Sequence, residues 1–237
     1  PRIVILTGAG ISAESGLGTF RDLGGLWTQV RLEDVATPEA YLRDPEGVLA
    51  FYDARRANAR AAEPNAAHRA LARLQAARPG EVLIVTQNVD GLHQAAGHRR
   101  VLDLHGRLAW VDCLDCPLRL DRHEVQRRMA DANPGLAARA AEVGPDGDAA
   151  LQGIDFAAFQ VPSCRHCGGL LKPDVVFFGE TIPRVRVERA LTAMCEADAL
   201  LVIGSSLMVY SGFRFCRLAS ERRLPMAAIT PGRTRAD

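Results

Sequence analysis

Four of the six cysteines fall in two C-x-x-C pairs, Cys113 with Cys116 and Cys164 with Cys167, and 47 residues lie between the pairs. Such a set can wrap one tetrahedral Zn²⁺ with four thiolates. Four protein ligands leave no open position for water or substrate, so the ion would be structural, holding a module too small to build a core of its own. Two redox-active or free-thiol pairs are the other reading. The stretch from about Gly106 to Pro173, whose polar middle carries Pro134, Gly135, Gly144, Pro145, Asp146 and Gly147, therefore reads as an inserted module. Cys195 and Cys216 sit in apolar helical contexts and read as buried small hydrophobes.

Outside that module the chain has a different rhythm. Four β-branched or aliphatic runs, Ile3 to Leu6, Val82 to Thr86, Leu200 to Ile203 and Met226 to Ile229, have strand length. Most are apolar throughout, as strands buried on both faces of a parallel sheet are. Between them lie stretches such as Ala66 to Ala77 and Arg186 to Ala197, whose apolar positions recur at three and four. Strand and helix in alternation predict an open α/β sheet. A second departure, from about Gly24 to Pro64, is helical and rich in Arg and Ala, with Pro38 and Pro45 as helix-start markers.

The 237 residues suffice for one large core or two modest ones. With 29 basic against 28 acidic residues and a net charge of +1, there is no field to hold a polyanion, which argues against direct nucleic-acid binding or a membrane-surface role. No apolar run reaches the roughly 18 residues that cross a bilayer, and the opening run is too short for a signal segment. An intracellular, cytoplasmic location is expected, or the mitochondrial matrix for a eukaryotic source. The chain opens on Pro1 and stops at Asp237, as a fragment or processed form would. Only one basic residue is a lysine, Lys172, a skew that reads as base-composition bias.

The first strand runs into Gly8, Ala9, Gly10, Ile11, Ser12 and Ala13, which satisfies G-x-G-x-x-G/A at a strand-to-helix turn. There a pyrophosphate would meet backbone N–H groups and the positive helix end. A glycine turn that only lets a helix pack close to a strand is the plainer alternative. Gly16, Gly18, Phe20, Arg21, Gly24 and Gly25 follow, a glycine-rich loop far longer than a turn needs and able to close over a ligand. Thr86, Gln87, Asn88, Val89 and Asp90 sit at the end of the second predicted strand, where open α/β sheets bind ligands. Two amides and a carboxylate there can hold a carboxamide and a ribose, or serve as turn formers. His105 stands just ahead of the cysteine module as a candidate general base, because imidazole titrates near neutral pH. His68, His93, His98, His123 and His166 offer no comparable context, and His166 is expected to be exposed.

In order, GAGIS, TFR, TQNVD, LHG, the two C-x-x-C pairs, VVFFGE and GSSL resemble the sirtuin family of NAD-dependent protein deacylases along essentially the whole chain. The resemblance implies a Rossmann-like parallel-sheet domain of residues 1–23, 65–105 and 174–237, a helical module of 24–64 and a zinc-ribbon module of 106–173. NAD and an acyl-lysine peptide would enter a cleft between the large and small parts. Carried over by position, Gly8, Ala9, Gly10, Ile11, Ser12, Gly18, Thr19, Phe20, Arg21 and Trp27 would contact the cofactor from the glycine turn and flexible loop. Gln87, Asn88 and Asp90 would line the nicotinamide and ribose pocket, and Gly204, Ser205, Ser206 and Thr230 the adenosine side. Val176, Phe177, Gly179 and Glu180, with Leu207 and Val209, resemble the segments between which the substrate peptide adds as an extended strand.

The reaction so implied begins with attack of the acyl carbonyl oxygen on C1′ of the nicotinamide ribose as nicotinamide leaves. His105, assisted by Asn88 and Asp90 in the catalytic pocket, then acts as base on a ribose hydroxyl, which attacks the imidate carbon, and addition of water gives free lysine and O-acyl-ADP-ribose. The partners implied are NAD, one structural zinc per chain and acyl-lysine proteins, with the enzyme a monomer. A mono-ADP-ribosyltransferase, a lipoamidase and an inactive NAD-sensing module are the competing readings.

Subclass signals are mixed. LEDVATPEAY, FYDARR and EPNAAHRAL resemble bacterial class III sirtuins, in which a Tyr and an Arg spaced i, i+3 bind an acidic acyl chain, here Tyr52 and Arg55. From Asn88 onward, CLDC, GPDGD, FQVPSC, CGGLLKPDVVFFGE and SSLMVYSGFRF look like class II sirtuins of the mitochondrial type. The expectation is a broad deacylase that also accepts succinyl or malonyl groups through Arg55. Thr230 stands where the family usually has Asn, and threonine lacks an amide's paired donor and acceptor. The family also normally continues through a further strand and helix that help cover the adenine.

Overall fold

The computed structural model describes residues 1–19, 31–44, 48, 61–133 and 160–237. In chain order these form β1 (Ile3–Thr7), a 3₁₀ helix (Ala9–Ser15), α1 (Leu32–Val35), α2 (Pro38–Arg43), α3 (Ala66–Ala77), β2 (Val82–Thr86), α4 (Leu92–Ala95), β3 (Val101–Asp103) and β4 (Gly106–Cys113). There follow β5 (Arg119–Asp121), α5 (Arg122–Ala132), β6 (Leu171–Val175), α6 (Arg184–Glu196), β7 (Ala199–Ile203), α7 (Tyr210–Glu221) and β8 (Met226–Ile229). The chain divides into two compact units, one of Pro1–Thr19, Ala62–His105 and Thr181–Asp237, the other of Phe20–Ala61 and Gly106–Glu180. Phe20, Arg21, Gly24, Gly25, Trp27, Pro45, Tyr52 and Arg55 lie outside the described residues.

The first unit is built on a parallel sheet in the order β3-β2-β1-β7-β8. β1 is the pivot: it pairs with β2 on one side and β7 on the other, so the crossovers diverge from it. Val4, Ile5 and Leu6 are buried between the layers that flank it, which is why this strand is apolar from Ile3 to Leu6. Divergence of the crossovers opens a crevice at the carboxyl ends of the strands, the place where such sheets bind ligands. α3 starts where the sequence says it should: Asn65 caps it, its Oδ1 accepting from the backbone N–H groups of Ala67 and His68. The same Asn65 donates through Nδ2 to the Ile11 carbonyl at 2.7 Å, which ties the helix start to the 3₁₀ turn.

Three expectations about this unit need correction. β8 is not a buried strand: all four of its residues are exposed, because it is the outer strand of the sheet and pairs only with β7 among the described residues. Cys195 is likewise exposed on α6, whereas Cys216 is buried on α7 as expected. α6 also starts earlier than the periodicity suggests, at Arg184 directly after Pro183.

The second unit holds an antiparallel sheet in the order β5-β4-β6. Val111, Cys113, Val125, Met129, Cys164 and Leu171 form one of its core clusters, so two of the paired cysteines are themselves core residues. Thr37 caps α2 through its hydroxyl, with Pro38 in the first turn. Tyr41 on that helix is buried and donates its hydroxyl to the Leu171 carbonyl, and burial raises its pKa well above the ordinary range. Among the described residues, no helix is long and apolar enough to cross a membrane.

Three histidines given no role by the sequence turn out to be packed together in the first unit. The His93 ring lies 4.9 Å, centroid to centroid, from those of both His68 and His98 in edge contacts, and all three are buried. The Thr7 hydroxyl donates to Thr86 Oγ1, so its oxygen accepts the proton that His93 carries on Nε2, which leaves Nδ1 without a partner. Burial lowers the pKa of His93 to about 3, and the neighbouring imidazoles add to the effect. His68 is lowered by burial, partly offset by Asp90, with His98 and Arg69 opposing its charge; His98 is lowered by burial against the pull of the His68 carbonyl.

Between pH 3 and about 6.5 the unfolded chain therefore holds protons that the folded one refuses. Stability falls as pH drops through that window, and His93 alone contributes ~1.4 kcal/mol of that loss for each step of one in pH. We expect an acid unfolding midpoint that moves down on His93→Gln, measured by circular dichroism across pH 3 to 8. An unchanged acid profile in that variant would contradict the assignment.

Candidate functional site

Most candidate residues of the first unit follow the carboxyl end of a strand. Gly8, Ala9, Gly10, Ile11 and Ser12 follow β1, Gln87 to Asp90 follow β2, His105 follows β3, Gly204 to Ser206 follow β7, and Thr230 follows β8. Backbone geometry draws the first and fourth of these together. Gly8 N–H donates to the Ile203 carbonyl at 3.2 Å and Gly10 N–H to the Gly204 carbonyl at 2.8 Å. A Cβ on Gly8 would stand 2.8 Å from that of Ser205, one on Gly10 2.9 Å from the Gly204 oxygen, and one on Gly204, at φ +61°, 2.2 Å from the Ile11 nitrogen. The glycines are thus required by close packing of two turns, whatever they bind. Gly18 and Thr19 follow the 3₁₀ helix in irregular chain, with open space around Gly18. Thr230 is half-buried, one residue past the point where Ile229 accepts from the Gly204 N–H.

The β2 loop is held by a connected polar network. Asn88 donates its side-chain amide to the Gly8 carbonyl and to Ser12 Oγ, both at 3.1 Å, and Ser12 donates in turn to Asp90 Oδ2 at 2.7 Å. Asp90 Oδ1 accepts from the Leu92 N–H, fixing the start of α4. The Asn88 backbone N–H donates to Thr86 Oγ1, so the histidine cluster and this loop share one chain of hydrogen bonds through Thr7 and Thr86. Gln87 donates to Ser205 Oγ at 2.9 Å. Its side chain passes over Gly212 of α7, where a Cβ would come within 2.6 Å of Gln87 Oε1. Gly212 is a site contributor that sequence reasoning missed.

His105 Nδ1 lies 2.9 Å from the Gln87 carbonyl, which can only accept. The proton must then sit on Nδ1, and Nε2 presents its lone pair, here taking a hydrogen bond from the Ser211 hydroxyl at 2.8 Å. Burial lowers the His105 pKa, the Gln87 carbonyl opposes that shift, and the charges of Arg186 and Arg214 reinforce it. The imidazole is neutral at physiological pH and able to accept a proton at Nε2. Ser211, in the first turn of α7, was also missed, because a serine after an apolar segment carries no signal of its own.

In the same unit, Leu207 is buried with φ +60°, an uncommon backbone for a branched side chain, held by a hydrogen bond from its N–H to Ser205 Oγ. Val209 caps α7, its carbonyl accepting from the N–H groups of Gly212 and Phe213. In the second unit, Val176, Phe177, Gly179 and Glu180 form a turn directly after β6: Phe177 is buried, Gly179 is exposed at φ +89°, and the Glu180 N–H returns to the Phe177 carbonyl at 3.1 Å.

The metal centre can be tested by geometry. The Sγ atoms of Cys113, Cys116, Cys164 and Cys167 all lie within 4.8 Å of one another, with Cys113 to Cys167 at 3.5 Å and Cys116 to Cys164 at 3.7 Å. Tetrahedral Zn–S bonds of about 2.3 Å put ligand sulfurs about 3.8 Å apart, so the four thiols fit zinc and are too far apart for disulfides. Each pair sits on a tight turn. Cys113 closes β4 with its N–H on the Leu118 carbonyl, and Gly168 N–H returns to the Cys164 carbonyl at 2.8 Å. The backbone N–H groups of Cys167 and His166 stabilise the Cys164 thiolate and draw its pKa down to about 6. His166 is exposed, as expected.

A parallel sheet with a glycine turn, an amide and carboxylate loop and one oriented imidazole at its strand ends, joined to a four-cysteine centre, defines a Rossmann-like α/β protein with a zinc-type module. The Sir2 family model matches residues 8–211, and the chain belongs to that family. It is 52% identical over 245 aligned positions to an NAD-dependent protein deacetylase of Bordetella bronchiseptica, spanning 100% of this chain and 86% of the relative. It is 40% identical to the NAD-dependent protein deacylase Sirt4 of Drosophila melanogaster, spanning 100% and 77%. Among solved structures it resembles a Sir2 homolog–NAD complex with TM-score 0.76 and 34% identity, covering 99% of this chain and 79% of the other. A variant Sir2 homologue in complex with ADP ribose gives TM-score 0.79 at 34% identity, covering 99% and 82%.

Because the module's core includes its metal-ligand candidates, chelation should unfold it. We expect the purified protein to release one Zn²⁺ per chain to a colorimetric chelator, with a lower melting temperature and loss of β-sheet signal. A chain that melts unchanged after chelation would exclude a structural ion.

Proposed function

We propose that this chain is an NAD-dependent protein-lysine deacylase that transfers the acyl group to ADP-ribose and releases nicotinamide. The observation that carries the reading is the tautomer of His105: the Gln87 carbonyl holds Nδ1–H, and Nε2 faces a hydroxyl at 2.8 Å with its lone pair available. A ribose hydroxyl in the place of the Ser211 hydroxyl would give up its proton to Nε2. Bound NAD supplies a ribose carbon activated by loss of nicotinamide. The fit of the dinucleotide rests on the polar groups left for it at the switch point. Asn88 spends both its amide hydrogens on Gly8 and Ser12, so its carbonyl oxygen is the atom offered to a ligand. Gln87, Asn88 and Asp90 are half-buried, as residues lining an accessible pocket are.

In this reading Gly8 to Ser12, Gly18 and Thr19 with Phe20, Arg21 and Trp27 hold the phosphates and inner ribose, and Gly204 to Ser206 with Thr230 hold the adenosine. Val176, Phe177, Gly179 and Glu180, with Leu207 and Val209, hold the acyl-lysine peptide by main-chain pairing. β6 is an edge strand with Pro173 inside it, and it leads directly into this turn. The enzyme acts as a monomer on cytoplasmic acyl-lysine proteins.

Replacing His105 by Ala should leave zinc content and NAD affinity within about twofold while lowering kcat by ~100-fold or more, the range of a lost general base. For the wild type, activity should rise with pH along an acid limb centred below the ordinary imidazole value of 6.5, since burial favours the neutral form. Near-normal turnover in His105→Ala would refute the role.

The finer reading is a broad acyl range that includes succinyl and malonyl groups. It rests on Tyr52 and Arg55, whose spacing resembles that of acidic-acyl sirtuins, and it agrees with a relative named as a deacylase. With succinyl-, acetyl- and lipoyl-lysine peptides, Arg55→Met should cut the succinyl-to-acetyl ratio of kcat/KM about tenfold or more, as loss of a bidentate carboxylate contact would. A ratio that does not move would discard this preference.

A further inference from the structure

The chain's single lysine lies in the second unit, beside the turn assigned above to the substrate peptide. Lys172 points its Nζ at the Val175 carbonyl at 2.6 Å and at Glu180 Oε2 at 3.1 Å, and it stands 4.0 Å from the centroid of the Phe177 ring. The same Glu180 oxygen accepts the Phe177 backbone N–H at 2.7 Å. Both side chains of the ion pair are mostly covered, at 13% and 27% exposure. The 176–180 turn therefore has two cross-braces: Glu180 reaches back to the Phe177 backbone, and Lys172 holds Glu180 in place. On the far side the Phe178 N–H donates to the Ala36 carbonyl at 2.7 Å, and the Phe177 ring packs 5.8 Å from that of Tyr41.

The choice of lysine here has a physical reason. Every other basic side chain of the Lys and Arg type is arginine, so the composition bias was resisted at one place. A carbonyl, a carboxylate and an aromatic face converge on a point, which suits a compact ammonium with three rotatable donors. A planar guanidinium, with its fixed fork, needs more room and a flatter partner.

We propose that Lys172 is a positioning residue for the acyl-lysine peptide: through Glu180 it fixes the backbone of Val176–Gly179 in the shape that pairs with the substrate strand. This rests on the peptide role given to that turn, and it adds a residue that the family resemblance did not single out. In this proposal Lys172 acts on the peptide only through Glu180 and the turn, so its loss should act on peptide affinity alone. Lys172→Gln, which removes the charge as acylation would, leaves Glu180 without its cation and lets the turn relax. Lys172→Arg keeps the charge but pushes Glu180 away from the Phe177 N–H, an intermediate case.

The test measures peptide KM, NAD KM and kcat for wild type, Lys172→Arg, Lys172→Gln and Lys172→Met. Direct binding of a fluorescent acetyl-lysine peptide is followed by anisotropy in parallel. Peptide KM and the binding constant should rise in the order wild type, Lys172→Arg, Lys172→Gln, with the last about tenfold up, while kcat and NAD KM stay within about twofold. Lys172→Met keeps an unbranched stem under the Phe177 ring but loses the ion pair, so it should match Lys172→Gln and serve if that variant folds poorly. Unchanged peptide affinity in both, or equal losses in peptide KM, NAD KM and kcat, overturns the proposal. A wild type that binds the peptide but does not consume NAD would instead strike the deacylase reading, with the binding arm still deciding the clamp.

Discussion

The strand-end crevice of the first unit depends on one close approach of backbone to backbone. The turn after β1 and the turn after β7 meet through the Gly8 and Gly10 N–H groups, at distances that leave no space for a side chain on Gly8, Gly10 or Gly204. Because β1 is the strand from which the crossovers diverge, that contact sits at the mouth of the crevice. Ser12 and Ile11 are then held where Asn88, Asp90 and Asn65 can reach them, and the β2 loop inherits its shape from the β1 turn. A side chain at any of those glycines would part the turns and misplace groups well beyond the residue changed.

Polar groups in this unit are arranged as a continuous chain. From the buried His93, hydrogen bonds run through Thr7 and Thr86 to the Asn88 backbone, and from Asn88 through Ser12 to Asp90. Such networks are rigid when fully satisfied, and each member is costly to remove. The imidazole pKa values show how burial sorts like groups into different tasks. His93 is driven so low that it is a neutral packing element, whereas His105 is lowered but keeps a hydroxyl partner on the nitrogen that carries the lone pair. The second unit solves a different problem. One of its core clusters shares residues with the four-thiol centre, so metal binding and folding there would be one event.

Much of this was legible in the sequence, and the reasons are specific. Buried parallel strands announce themselves as apolar runs, so β1, β2 and β7 were visible, as was α3 from the recurrence of its apolar positions at three and four. The cysteine spacing located the metal centre because ligand geometry leaves few alternatives. Short strands did not show: β3 and β5 have three residues each, and β6 carries a proline, so neither length nor alternation marks them. β8 was legible as a strand but not as an exposed one, since apolar composition does not reveal which strand is outermost. Nor could sequence join residues that are far apart in the chain, such as Thr7 with His93, Gln87 with Gly212, or His105 with Ser211. Those contacts come from strand order, and they set which imidazole presents a lone pair to a hydroxyl and which is packed away as filler.

The central claim is that an acyl group leaves lysine for ADP-ribose with one NAD consumed per lysine freed. The most direct measurement is mass spectrometry of an acetyl-lysine peptide incubated with the wild-type protein and NAD, reading peptide and nucleotide products together. Equal amounts of free-lysine peptide, nicotinamide and O-acetyl-ADP-ribose are predicted. Consumption of NAD with the peptide left acetylated and ADP-ribose attached to protein would contradict the account, as would deacetylation that proceeds without NAD.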